Sequence, residues 1–287
     1  MNKPAIIVIS SHVARGSVGN RAAVFALETL GFPVWAVPTI LLPWHPGHGL
    51  ATRIVPPTDM FDQFMNDLAN APWIDEVSAV LTGYMANPEQ VSSAARLVQT
   101  LKHKNPELIH LCDPVIGDVN GLYVTDKTAD AIRDEFLAIC DIVTPNRFEL
   151  AWLCREPEIE NLEHMIGFAK QLQPETVLAT SSFAADPKET GNYLKTSDAA
   201  LLASHKSVEN PPNGPGDLTA SLFLGHWLAS MSQEDNLRLT TASVLEILTH
   251  ATGRGSDELT LESNAASLIN PKVELTITAI GETQWAE

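Results

Sequence analysis

The sequence predicts an α/β fold: a doubly wound, mostly parallel central sheet with helices on both faces. Three observations carry that prediction. Short continuous apolar runs, the first at residues 4–10, have the composition of strands buried on both faces. Helical periodicity fills the intervals between them, the alternation expected of β-α-β units. Each run ends in a loop rich in Gly, Pro, Ser, Thr or Asp, and in open α/β sheets ligands bind beside loops that leave the strands' C-terminal ends.

The run at 4–10 opens into a polar, glycine-bearing turn spanning residues 10–20. A helix over 21–30 stops at Gly31, and 34–39 forms the second strand. Residues 42–57 are rich in Pro, Gly and His and lack periodicity, which suits a flap over a pocket. His45 and His48 lie three apart there, but with no third ligand nearby a metal site is not expected. A helix over 60–70 precedes a strand at 77–81, which ends at Thr82-Gly83-Tyr84. The next helix, 89–103, leads to a strand at 108–112 that delivers Asp113 and Asp118, carboxylates suited to magnesium or to phosphate-side partners. Asn120-Gly121-Leu122-Tyr123 reads as a turn and 130–140 as a helix. The strand at 141–143 delivers Thr144-Pro145-Asn146, and a helix begins near Glu149. A strand at 176–178 ends in Ala179-Thr180-Ser181-Ser182. Residues 191–207 read as antiparallel hairpin material, and a helix at 237–253 and a strand at 273–280 close the chain.

Between these lies Asn213-Gly214-Pro215-Gly216-Asp217, a glycine loop opening an apolar helix with Leu218, Leu222, Gly225 and Leu228-Ala229 on one stripe. Free N–H groups and the positive dipole end make such a junction a phosphate site. A carboxylate placed there is better used to take a proton from an attacking alcohol than to bind phosphate. The competing use of Asp217 is as the helix N-cap. One domain over 1–287 is expected, because no linker divides the chain.

Bulk properties narrow the field. The formal charge of −17 argues against a nucleic-acid groove or an anionic membrane surface, and no apolar run reaches membrane-spanning length. Three cysteines without metal-ligand spacing read as reduced thiols, so a cytoplasmic protein is expected.

The order of these stretches resembles the pyridoxal kinases of the ribokinase-like superfamily over nearly the whole chain. Ser11-His12-Val13 with Gly19-Asn20, and Leu81-Thr82-Gly83-Tyr84, are the pieces similar to vitamin B6 kinases specifically. Cys112-Asp113-Pro114-Val115 with Gly117-Asp118, Thr144-Pro145-Asn146 with Glu149, and the Gly214–Asp217 loop resemble the superfamily at large.

The resemblance implies transfer of the ATP γ-phosphoryl group to the 5′-hydroxyl of pyridoxal, and of pyridoxine and pyridoxamine. It implies Ser11 at the pyridine ring's polar edge, Tyr84 lining or stacking on the ring, and Val18 and His45 close by. Asp113, Thr144 and Glu149 would hold Mg2+, a monovalent cation such as K+, or their waters. Asp118 and Tyr123 would lie at the ATP phosphates or the flap, and Asn146, Thr180 and Ser181 would contact the phosphates. Asp217 would be the general base, with the loop amides around Gly214 and Gly216 stabilising the transferred group, and a homodimer is implied. Two positions depart from the pattern. Pro215 replaces a residue with an N–H, and Pro46 follows His45 where many pyridoxal kinases carry threonine. The rival readings are a hydroxymethylpyrimidine kinase, which usually carries a cysteine in the glycine loop, and a non-catalytic pyridoxal-binding protein.

Overall fold

The computed structural model describes residues 3–281. β1 (Ala5–Val13) has its first six residues buried, as a central strand requires. It runs past the expected end at residue 10, so Ser11 lies in the strand and the turn is confined to residues 14–19. Parallel pairing to β2 (Val34–Leu42) causes the extension, continuing through a bulge between Ser10 and His12 to Val13 opposite Leu42. β2 is an edge strand with a partner on one side only, a position that tolerates Pro38 in its middle. Between the two strands lies α1 (Asn20–Thr29), and Gly31 after it has φ 85°, the left-handed stop foreseen.

The flap over 42–57 holds a single short 3-10 turn, Pro46–His48. α2 (Thr58–Ala69), β3 (Val77–Thr82) and α3 (Pro88–Lys104) follow. α3 shows why it starts where it does: the Asn87 side chain accepts from the Gln90 N–H, and Pro88 fills a first-turn position that needs no donor. β4 (Ile109–Cys112) leads to a two-stranded ribbon, β5 (Gly117–Asp118) and β6 (Gly121–Leu122), where only a turn was expected. The helix expected at 130–140 begins earlier, as α4 (Asp126–Ala131) capped by Thr125, and widens into a π-type turn at Ile132–Phe136.

β7 (Ile142–Val143) and α5 (Arg147–Leu153) precede α6 (Leu162–Gln171), a helix absent from the sequence expectations. β8 (Thr176–Phe183) continues past residue 178, because β9 (Glu189–Lys195) pairs with it antiparallel as far as Phe183. β10 (Ala200–Lys206) completes the expected hairpin. α7 (Pro215–Leu228), α8 (Gln233–Gly253), the five-residue α9 (Ala265–Ile269), also unforeseen, and a shortened last strand β11 (Thr276–Ala279) end the described chain.

Nine of the eleven described strands form one sheet, in the order β11-β10-β9-β8-β7-β4-β3-β1-β2. Pairings from β2 to β8 are parallel, and those of β9, β10 and β11 antiparallel. Alternate strand residues feed two cores. Ile7, Ile9, Val80, Val143 and Val177 pack under α2 to α6, while Ile6, Val8, Leu81, Leu111 and Leu178 pack under α1, α7 and α8. The chain reverses its direction of progress across the sheet at β1 and β3, the point where such folds open a crevice at the strands' C-terminal ends.

α7 corrects one expectation. It has no single apolar stripe: Leu218 to His226 are all buried. Ala220, Phe223 and Leu224 face the sheet, and Leu218 and Leu222 join a third cluster with α1 and α8. A helix apolar all round belongs inside the protein, so its N-terminus is held firmly at the crevice.

Candidate active site

The glycine loop shapes the crevice. Gly214 is the N-cap of α7 with φ 99°, left-handed backbone that side chains rarely adopt. A Cβ there would also collide with the Ser17 carbonyl oxygen and lie 3.1 Å from Val18 Cγ1. Pro215 takes the first helical position, where an N–H would have no intrahelical partner, so the substitution is structurally silent. No side chain caps this terminus. The amides of Gly216 and Asp217 have no acceptor among the described residues, and a Cβ on Gly216 would meet nothing within 4 Å. That vacant approach suits a phosphate.

Asp217 sits in the first turn of α7 and is not its N-cap, which disposes of the capping alternative. It is half-buried, and burial raises its pKa to about 6, while the Gly19 backbone N–H pulls the other way. Gly19 bridges back to His12, which brings the turn after β1 against Asp217. Asn20 fixes that turn: its Nδ2 donates to Ser10 O at 2.8 Å and to Val37 O at 3.1 Å, tying β1 to β2.

Asp113, delivered by β4, is 6% exposed and accepts from Thr144 Oγ1 at 2.9 Å. Burial and then the charge of Asp217 push its pKa up to about 8, against the pull of the Thr144 hydroxyl. Glu149 is equally buried, and burial followed by the charge of Asp113 raises it well above the usual carboxylate range. Its Oε2 accepts from Asn146 N at 2.9 Å and its Oε1 from Ile116 N at 3.1 Å. Asn146 returns the favour by accepting from Glu149 N at 3.0 Å, a capping box that starts α5. Asn146 Nδ2 donates to Gly117 O at 2.9 Å, so this side chain anchors the β5–β6 ribbon and keeps one free hydrogen.

Asp113, Glu149 and Asp217 pair with no Lys, Arg or His among the described residues. Converging acids without a counter-charge fit a cation. Among the described residues no three His, Cys, Asp or Glu side chains form a ready-made metal cage. Magnesium bound through one or two carboxylates and substrate phosphates needs none.

The remaining expected residues sit around this centre. Thr180 and Ser181 lie inside β8, not at its end, in a bulge of its antiparallel pairing with β9. Thr180 N donates to Pro145 O at 2.8 Å, and Ser181 is exposed with φ 53°. Asp118 accepts from Asn120 N at 2.7 Å, turning the ribbon, and Tyr123 beside it is 50% exposed. Across the crevice, Ser11 and Tyr84 are half-buried, and Ser10 Oγ accepts from Tyr84 N at 3.2 Å. Val18 is buried against Gly214. His45 caps the 3-10 turn by accepting from Gly47 N at 3.1 Å, and burial, then His48, lowers its pKa.

Four further residues border the crevice without belonging to any motif in the sequence. Arg53, the lone cation of the flap, donates to Tyr84 Oη at 2.9 Å; its isolation in a Pro-rich stretch was the available signal. Arg15, Asp257 and Glu258 form an ion-pair cluster behind the turn, with no local pattern to announce it.

The phosphomethylpyrimidine kinase family model matches residues 55–260. A pyridoxal kinase PdxY of Rubrobacter xylanophilus is 34% identical, covering 95% of this chain and 96% of that one. Its counterpart from Corynebacterium diphtheriae is 29% identical over 96% and 99%. Among solved structures, the pyridoxal kinase of Leishmania donovani in complex with ADP and pyridoxamine superposes with a TM-score of 0.87 at 27% identity, covering 97% of this chain and 100% of that one.

Proposed function

The chain belongs to the pyridoxal kinases within the phosphomethylpyrimidine kinase family, and from that premise we propose that it moves the ATP γ-phosphoryl group to the 5′-hydroxyl of pyridoxal, and of pyridoxine and pyridoxamine. The observation that carries the mechanism is Asp217. A half-buried carboxylate with a pKa near 6 stands in the first turn of an uncapped helix with open space beside Gly216. Phosphoryl transfer leaves the protein mainly positioning and charge neutralisation. Asp217 takes the proton of the 5′-hydroxyl as that oxygen attacks phosphorus in line, and is ionised near neutral pH to do so. The Gly216 and Asp217 amides then stabilise charge building on the transferred group.

Ser11, Val18, His45 and Tyr84 form the vitamer side of the crevice. Asp118, Tyr123, Asn146, Thr180 and Ser181 form the nucleotide side. Asp113, Thr144 and Glu149 would hold a magnesium ion, directly or through waters, and a monovalent cation, which would supply charge neutralisation beside the ATP phosphates. Support for the cations is the set of unpaired acids described above. The reading includes a cytoplasmic enzyme, supported by three free thiols, and a homodimer, supported by the family resemblance alone.

The test is phosphorylation of the three B6 vitamers and of hydroxymethylpyrimidine, with Mg-ATP as donor. Turnover of the vitamers with kcat/KM at least tenfold above hydroxymethylpyrimidine is the expected outcome. The reverse preference would move the chain to pyrimidine phosphorylation. No turnover with tight pyridoxal binding would make it a binding protein.

A further inference from the structure

Glu258 lies between α8 and α9, outside every motif of the crevice, yet its carboxylate gathers groups from two separate loops. Oε1 accepts from Arg15 Nη1 at 3.2 Å and from His48 Nε2 at 3.1 Å, and Oε2 accepts from Ser17 N at 3.2 Å. Asp257 beside it takes Arg15 Nη2 at 2.7 Å and faces His48 Nδ1 at 3.7 Å. Glu258 itself is 8% exposed, and the space for a Cβ on Gly16 is filled by its Oε1 at 2.5 Å. Its segment is anchored: Ser256 Oγ donates to Glu258 O and accepts from Glu258 N, and Leu259 next to it is fully buried, 3.2 Å from the Cβ position of Gly214.

The two loops held here matter to the crevice. Residues 14–19 carry Val18 and the Gly19 amide that faces Asp217. The flap carries His45, and a Cβ on Gly47 would lie 3.2 Å from Asn213 Nδ2 in the glycine loop. Apolar packing contributes little to the flap, since Leu50 is wholly exposed and Ile54 is 58% exposed. Its position therefore rests on a few polar attachments, of which the pair to Glu258 is the most buried. Charge-assisted hydrogen bonds to a desolvated carboxylate are among the stronger attachments a loop can have.

We infer that Glu258 is a positioning residue, a clasp that holds the flap through His48 and the turn after β1 through Arg15 and Ser17, so that the vitamer side of the crevice is assembled before substrate arrives. This rests on the vitamer-kinase reading. Because the clasp touches the vitamer side and not the nucleotide side, its loss acts selectively. Glu258→Ala is expected to raise KM for pyridoxal about tenfold while KM for ATP stays within about twofold. His48→Ala releases only the flap and gives a smaller rise, with no further effect when added to Glu258→Ala, as members of one cluster behave in a double-mutant cycle.

Steady-state kinetics of these variants, with hydrogen exchange of the unliganded full chain read by mass spectrometry, test the clasp. Faster exchange in peptides covering 14–19 and 43–55 in Glu258→Ala, with β3 and β4 unchanged, is the expected result. Should the alanine variant fail to fold, Glu258→Gln keeps an acceptor for Ser17 N, removes the charge, and is expected to free the flap alone. Unchanged exchange in both loops, or equal rises in KM for ATP and pyridoxal, overturns the clasp. If the wild-type chain phosphorylates no B6 vitamer, the functional reading fails, while the exchange pattern still decides whether Glu258 holds the loops.

Discussion

Replacing Gly214 by alanine asks the most of the glycine loop. Two costs follow from the geometry. A non-glycine residue at φ 99° carries about 1–2 kcal/mol of backbone strain. The new methyl would overlap the Ser17 carbonyl oxygen and crowd Val18 Cγ1 at 3.1 Å and Leu259 Cδ1 at 3.2 Å, none of them the free end of a flexible chain. Overpacking of that kind costs about 1–3 kcal/mol. Stiffening the unfolded chain returns about 0.4–1 kcal/mol. The net loss is about 2–4 kcal/mol, which for 287 residues lowers the melting temperature by about 3–7 °C. Gly216→Ala is the internal control, since nothing lies within 4 Å of its Cβ position and its φ is ordinary. That variant should melt at or slightly above the wild-type temperature, yet raise KM for ATP at least tenfold by crowding the phosphate approach. Differential scanning calorimetry with steady-state kinetics reads both. A Gly214→Ala protein melting within about 1 °C of wild type, or a Gly216→Ala protein with unchanged KM for ATP, would refute the loop geometry.

Three further outcomes are expected. Asp113 has its pKa raised from 3.8 to about 8, so between those values folding takes up a proton and stability from this group falls as pH rises; Asp113→Asn without magnesium should therefore gain a few kcal/mol over wild type at pH 8, a gap that closes towards pH 4 in urea titrations. For Asp217, raised to about 6, kcat/KM for pyridoxal should fall as pH drops below about 6, and a profile flat from pH 5 to 8 would remove it as base. Asn20→Ala leaves the Ser10 and Val37 carbonyls without their buried donor and should cost about 1–3 kcal/mol by urea unfolding.

How much of this was legible in the sequence depended on the range of the interaction. Buried parallel strands announce themselves as apolar runs, so the starts of β1, β3, β4 and β7 were readable to within a residue. Strand ends were not, because partners set them: β1 reaches Val13 through its pairing with β2, and β8 reaches Phe183 through β9. α7 was placed correctly but given the wrong surroundings, since a segment apolar on every side still shows a stripe when only some positions are counted. Asp113 and Glu149 follow β4 and β7, and the charge of Asp113 bears on Glu149, whereas the hydroxyls of Thr180 and Ser181, expected at a strand end, lie inside β8. Asn146 and Glu149 bear a second duty as a capping box, a local pattern that was there to be read. Glu258 was invisible, because its partner Arg15 is 243 residues away and ion pairs leave no periodic trace.

The most direct test of the central claim is the turnover number of Asp217→Asn on pyridoxal with saturating Mg-ATP. The amide keeps the shape of the side chain and the first turn of α7, but accepts no proton. The account predicts a kcat lower by about 10²–10⁴-fold with KM for pyridoxal little changed. A variant that turns over at near the wild-type rate would contradict it, and would leave the crevice without its base.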